Sequence, residues 1–143
     1  MKARDLRRLG IVGLYVTAAG ALALAPALMP AGYSWVEHTT SESAAQGVDG
    51  AWLARAGFLL FGFGVLATAV TTRKWSIAAR VAHATFAICM IAAAAFSSRP
   101  ADVNAPYVAS EDTLHSVVAS LMGIAFAVGV VLVAARRARG SWF

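Results

Sequence analysis

The feature that most constrains this chain is the recurrence of long stretches almost free of formal charge. A helix must offer about 20 predominantly apolar residues to cross about 30 Å of hydrocarbon. Four stretches in the 143 residues reach that length: Leu9 to Met29, Ala51 to Thr72 with Arg55 near its start, Ser76 to Ser98 with Arg80 near its start, and Thr113 to Ala135 with no formal charge. The spacing predicts an all-α polytopic membrane protein, a four-transmembrane-helix bundle forming one integral membrane domain over 1–143. Its longer connections, 30–50 and 99–112, fall on one side. Pro30-Ala31-Gly32 ends the first stretch with residues that do not continue a helix, and Asp49-Gly50 precedes the second as a helix start. Ser110 to Thr113 supplies capping side chains and negative charge at the amino end of the fourth, where the helix dipole favours both.

Composition supports this assignment. The chain is 59% hydrophobic and 13% charged, against about a quarter charged in soluble domains. Its net charge of +5 does not indicate nucleic acid, because the cations form short clusters flanking the apolar stretches instead of one basic face. They act as topology signals. Lys2, Arg4, Arg7 and Arg8, then Arg73 and Lys74, then Arg136, Arg137 and Arg139 share one side. Glu37, Glu42, Asp49, Asp102, Glu111 and Asp112 share the other, where Arg99 is the only cation of the loops. Short cation-bearing segments stay in the cytoplasm, so both termini are expected inside, with the chain multi-pass in a bacterial cytoplasmic membrane. Tyr33 and Trp52 at the outer boundary and Trp75 at the inner one suit the preference of amphipathic rings for interfaces. The first stretch also has the form of a signal peptide, but Pro26 follows Ala23-Leu24-Ala25 where it would obstruct cleavage, so retention is expected.

Helices associate in lipid through small residues and interhelical hydrogen bonds. Gly13 with Thr17, and Gly123 with Ala127, are small pairs spaced by four. Gly57, Gly62 and Gly64 punctuate the second helix. All are candidate contact positions.

A charge within the hydrocarbon needs a partner or a route to the interface. Arg55 is expected to pair with Glu42, Glu111 or Asp112, and Arg80 to extend toward the inner interface. His83 lies deeper than His115 lies from the opposite boundary, so the two cannot share a metal or a haem, and a hydrogen-bonded structural role is expected for His83. The outer layer is richer: Ser34, His38, Ser41, Glu42, Arg55, Asp112 and His115 form a candidate polar cluster. Within it Glu42, His115 and Asp112 are the candidate acid/base residues, and His38 and His115 the candidate zinc ligands. Ser34-xxx-His38 is similar to the serine and histidine pattern of alkaline ceramidases, but those enzymes pair further histidines at four-residue spacing, which none of the three histidines here has. No cofactor is expected, zinc being the alternative. No acid falls inside any span, which argues against proton-coupled export. Cys89 stands alone, so neither a disulfide framework nor a CxxC redox pair is available.

Tyr33-Ser34-Trp35, then Thr39-Thr40-Ser41-Glu42-Ser43-Ala44 ahead of a Gly- and Phe-rich helix, together with His115-Ser116 opening the last helix, resembles an uncharacterised prokaryotic membrane family, domain of unknown function 998. The resemblance runs from about Gly32 to Ala127. It implies that Ser41, Glu42 and His115 form a shared outer-surface cluster and implies no reaction; members usually have about six helices where four are read here. The reading that follows is an accessory or interaction component whose partners are the lipid bilayer and either itself or a larger membrane complex. Two alternatives stand beside it: an outward-facing metal-dependent or acid/base hydrolase, and a small transporter.

Overall fold

A computed structural model describes residues 2–34 and 36–140. Trp35 of the Tyr-Ser-Trp motif, and the side chain of Arg139 among the basic residues, lie outside the described part. The helices are α1 (Ala3–Leu24), α2 (Ala51–Thr71), α3 (Ile77–Ala95) and α4 (Ala109–Gly140), with short 3-10 turns at Ala25–Leu28 and Glu42–Ala44. Among the described residues there is no strand. All four helices are long and apolar enough to cross a membrane.

The helix ends differ from those expected. α1 begins at Ala3 and α4 continues to Gly140, because apolarity marks only the part that can sit in hydrocarbon, whereas Arg and Ala propagate a helix well beyond it. Arg4, Arg7 and Arg8 at one chain end and Arg136 and Arg137 at the other therefore ride on helices, with Lys2 as the N-cap of α1. Ser110 to Thr113 lies inside the first turns of α4 instead of preceding it, still placing Glu111 and Asp112 where the dipole favours anions. At the other end of α1, Pro26 removes a donor and crowds the preceding turn, and the helix tightens into a 3-10 turn at Ala25. Ser76 is the N-cap of α3 and not its first residue, its Oγ accepting from Ala79 N at 3.2 Å.

The helices pack in sequence order, α1 on α2, α2 on α3 and α3 on α4, and no interface of comparable extent joins α1 to α4. The bundle is thus an open row whose two end helices leave a gap. One aromatic ring from each helix crosses this row: Tyr15 meets Phe61 with centroids 5.5 Å apart, Phe61 meets Phe86 at 6.2 Å, and Phe86 meets Phe126 at 5.5 Å. The first two contacts are edge-to-face, as ring quadrupoles prefer. Tyr15 also ties α1 to α2 through its hydroxyl, 3.0 Å from Thr68 Oγ1. The remaining core is mostly alanine, with Ala25, Ala44, Ala54 and Ala94 around Phe58 at one end. Cys89 is buried on α3.

Close approach depends on glycine, though not on the pairs that spacing suggested. A Cβ on Gly57 would lie 2.7 Å from Leu22 of α1, and one on Gly62 would lie 2.7 Å from Ile91 of α3. Gly13 and Gly123 meet nothing within 4 Å, and Thr17 and Ala127 are exposed with them. The expectation of helix contacts at these two pairs is corrected: they face outward, away from the neighbouring helix. The glycine of α4 that matters is Gly129, whose added Cβ would sit 2.6 Å from the ring of His83. That ring is held on its other sides, Nδ1 being 2.8 Å from Ala79 O and the ring centroid 4.4 Å from that of Trp75. Gly129→Ala is accordingly expected to lower stability by about 1–3 kcal/mol through overpacking. Gly123→Ala on the same helix, with nothing within 4 Å of the added Cβ, should hold or slightly raise the melting temperature of the detergent-purified protein.

Arg55 and Arg80 perform the same task at opposite ends of α2. Arg80 donates from Nε to Ala69 O at 2.9 Å and from its terminal nitrogen to Val70 O at 3.1 Å, capping the last carbonyls of α2, which have no partner within the helix. Arg55 donates to Ala44 O and Ala45 O, both at 3.0 Å, closing the 3-10 turn before α2. The expected ion pair of Arg55 with an acid gives way to these carbonyl bonds. The reason is local: the carbonyls of Ala44 and Ala45 end a turn too short to satisfy them internally, and Arg55 supplies their donors.

Candidate functional site

At the end of the bundle away from the chain termini, the segment from Met29 to Gly50 folds against the shorter connection from Phe96 to Val108. Two local devices shape the first. His38 closes its own turn: its N donates to Ser34 O at 2.9 Å, its Nδ1 accepts from Ser34 N at 3.1 Å, and Tyr33 stacks on its ring with centroids 5.2 Å apart. Ser34 Oγ accepts from Val36 N at 3.3 Å. Next comes a capping box, Thr39-xx-Glu42, in which Glu42 N donates to Thr39 Oγ1 at 3.3 Å and the Glu42 carboxylate accepts from Thr39 N. The box satisfies donors at the start of the Glu42–Ala44 turn.

Gln46 joins the two connections, and nothing in the sequence marks it. It is buried, and its amide nitrogen donates to Ser97 O at 2.8 Å and Val108 O at 3.2 Å while its Oε1 accepts from Val108 N at 2.7 Å. Its own backbone N donates to Ser98 O at 2.9 Å. A second link runs from Ser98 Oγ to Ser41 O at 3.2 Å. A lone glutamine in a loop has no periodicity or charge pattern to identify it. The capping box, by contrast, had a readable signature in its spacing.

α4 brings up the remaining residues. Asp112 Oδ1 accepts from Arg99 N at 2.9 Å. His115 is buried, with Nδ1 at 2.8 Å from Phe96 O; a carbonyl only accepts, so Nδ1 carries hydrogen and Nε2 is the acceptor of the neutral ring. Thr39, Ser41, Glu42, Arg99, Asp112 and His115 form the polar part of the wall of a chamber of about 390 Å3 that Pro100, Ala101, Val103 and Tyr107 also line. Beneath it, toward the middle of the bundle, lies an apolar cleft of about 350 Å3 between Leu22, Phe58, Phe61, Met90, Ala119 and Met122. Ser41 and His115 line both. The cleft touches all four helices and lies across the gap that α1 and α4 leave open.

The residues singled out from sequence therefore separate. Ser41, Glu42, Asp112 and His115 gather around one chamber. His38 faces an adjoining hollow that also reaches Glu42. Ser34 serves its own turn, and Arg55 serves the backbone before α2. Among the described residues, no three His, Cys, Asp or Glu side chains converge as a metal ion would require. Most polar groups here are spent on backbone partners, and the surface they enclose is mixed in polarity above and apolar below.

A family model described as a protein of unknown function, DUF998, matches residues 11–143. No curated protein and no solved structure matches the chain.

Proposed function

The chain belongs to the DUF998 family, and from its own geometry we propose that it is an accessory component of the membrane that holds a single amphiphilic lipid. The observation carrying this reading is the shared wall of the two cavities. A headgroup in the chamber would meet the Arg99, Asp112 and His115 side chains, and a chain leaving it past Ser41 and His115 would enter the cleft between Leu22 and Met122 without crossing water. Ligand sites of this kind are concave and mainly apolar, with a few polar groups fixing orientation. The gap between α1 and α4 provides entry from the bilayer. The distribution of cations supports an orientation with both termini in the cytoplasm of a bacterium and the chamber on the outer face.

An enzymatic reading draws less support from the same residues. The Glu42 and Asp112 carboxylates each accept a backbone N–H, and His115 is tied to a carbonyl, its other ring nitrogen having no carboxylate hydrogen-bonded to it among the described residues. Holding a lipid requires only the shape.

Ala119 lines the cleft on α4, so Ala119→Phe places a ring where the chain would lie. The expected result is loss of the lipid that co-purifies with the wild-type protein in mild detergent, seen by mass spectrometry, with the melting temperature of the lipid-stripped protein little changed. Equal retention of lipid by the variant would show that the cleft is not the site.

A further inference from the structure

At the opposite end of the bundle, two cation-rich segments far apart in sequence meet. Arg4, Arg7 and Arg8 of α1 and Arg73 and Lys74 after α2 line one depression of about 460 Å3. On α1 the same depression continues over Ile11 and Val12. These α1 positions are spaced i, i+3, i+4, i+7 and i+8, one face of a helix, so along that face positive charge gives way to apolar surface. Thr71 and Thr72 bring hydroxyl oxygens from the end of α2.

These cations differ from the two arginines at the ends of α2. Arg55 and Arg80 each hold two carbonyls, whereas the five cationic side chains lining this depression make no hydrogen bond or ion pair to the protein among the described residues. The one acid at this end, Asp5, does not line it. Five like charges around one hollow repel each other unless an anion enters. We propose that the depression seats the phosphate of an anionic phospholipid, with an acyl chain lying along Ile11 and Val12. The residues are separate from those of the chamber and cleft, so this site stands or falls independently of the function proposed above. Guanidinium groups suit phosphate oxygens because they offer several donors in one plane, and basic hollows between membrane helices are a recurrent setting for anionic headgroups.

The test uses the full chain in phosphatidylcholine nanodiscs at low ionic strength, titrated with phosphatidylglycerol and read by native mass spectrometry. A cation near an anionic headgroup contributes about fivefold in affinity. Arg7→Gln/Arg8→Gln should therefore weaken phosphatidylglycerol binding about 25-fold and Arg73→Gln about fivefold, while Arg136→Gln/Arg137→Gln on α4 binds as wild type does. Melting temperatures without added phosphatidylglycerol should match across the set, and if the double variant on α1 does not fold, Arg73→Gln alone decides. The proposal is overturned if unaltered protein shows no preference for phosphatidylglycerol over phosphatidylcholine. It is also overturned if the α4 variant loses as much affinity as the α1 variant, or if inorganic phosphate displaces the lipid and so marks a site for free phosphate.

Discussion

Gly50→Ala is expected to destabilise the protein by about 2–5 kcal/mol, the sum of a left-handed backbone forced on alanine and a clash with fixed atoms. Gly50 caps α2 with φ at 83°. A Cβ there would lie 2.7 Å from both Leu28 Cβ and Leu28 O, and a backbone carbonyl cannot swing aside as the tip of a long side chain can. Gly47 provides the control: its φ is also positive, at 65°, but a Cβ there meets nothing within 4 Å. Gly47→Ala should cost only the conformational part, about 1–2 kcal/mol. The pair is read by melting temperature in detergent, and equal losses at the two sites would mean that contact with Leu28 contributes nothing.

The second large effect is expected at Gln46. Gln46→Leu keeps bulk but leaves Ser97 O and the N–H of Val108 without their partner, while Val108 O keeps its bond from Asp112 N. With part of that loss recovered from water at Val108, about 2–4 kcal/mol should disappear. Gln46→Glu is the sharper probe, because it preserves shape and the oxygen that faces Val108 N while turning the donor to Ser97 O into a second acceptor. It should melt at least as early as the leucine variant, and limited proteolysis should cut first between Phe96 and Val108. A glutamate variant as stable as wild type would show that the two connections are held together by something other than this amide.

The four helices were legible because charge in hydrocarbon is costly and the few exceptions, Arg55 and Arg80, sit near helix starts. Their ends were less so. Hydropathy says where a helix may enter lipid and is silent on where its hydrogen bonding stops, which is why Arg4 and Arg137 lie on helices. Spacing by four identified Gly13 and Gly123 as contact residues, yet spacing does not say which face turns toward a neighbour. Tyr15, Leu22 and His83 decide that by filling the space against Gly64, Gly57 and Gly129. The polar cluster was legible as a group because short motifs such as Thr39 to Glu42 and His115-Ser116 stand out in an apolar chain. Its internal division was not. Glu42 looks like a candidate base until its carboxylate is seen capping Thr39 N, and Gln46 carries no sign of its three side-chain bonds until the two connections meet.

The two arginines of α2 and α3 have a mechanical consequence. α2 is anchored at its start, where its own Arg55 grips the preceding turn, and at its finish, where Arg80 grips its final carbonyls. It can neither slide along its axis nor unwind at a tip without breaking charge-assisted bonds. It is the fixed post of the assembly, with α3 bolted to it. α1 and α4 are each supported along a single side, so the lateral pressure of the surrounding lipid falls on the free flanks of these two. Any breathing of the protein in the membrane plane therefore concentrates at the mouth of the cleft.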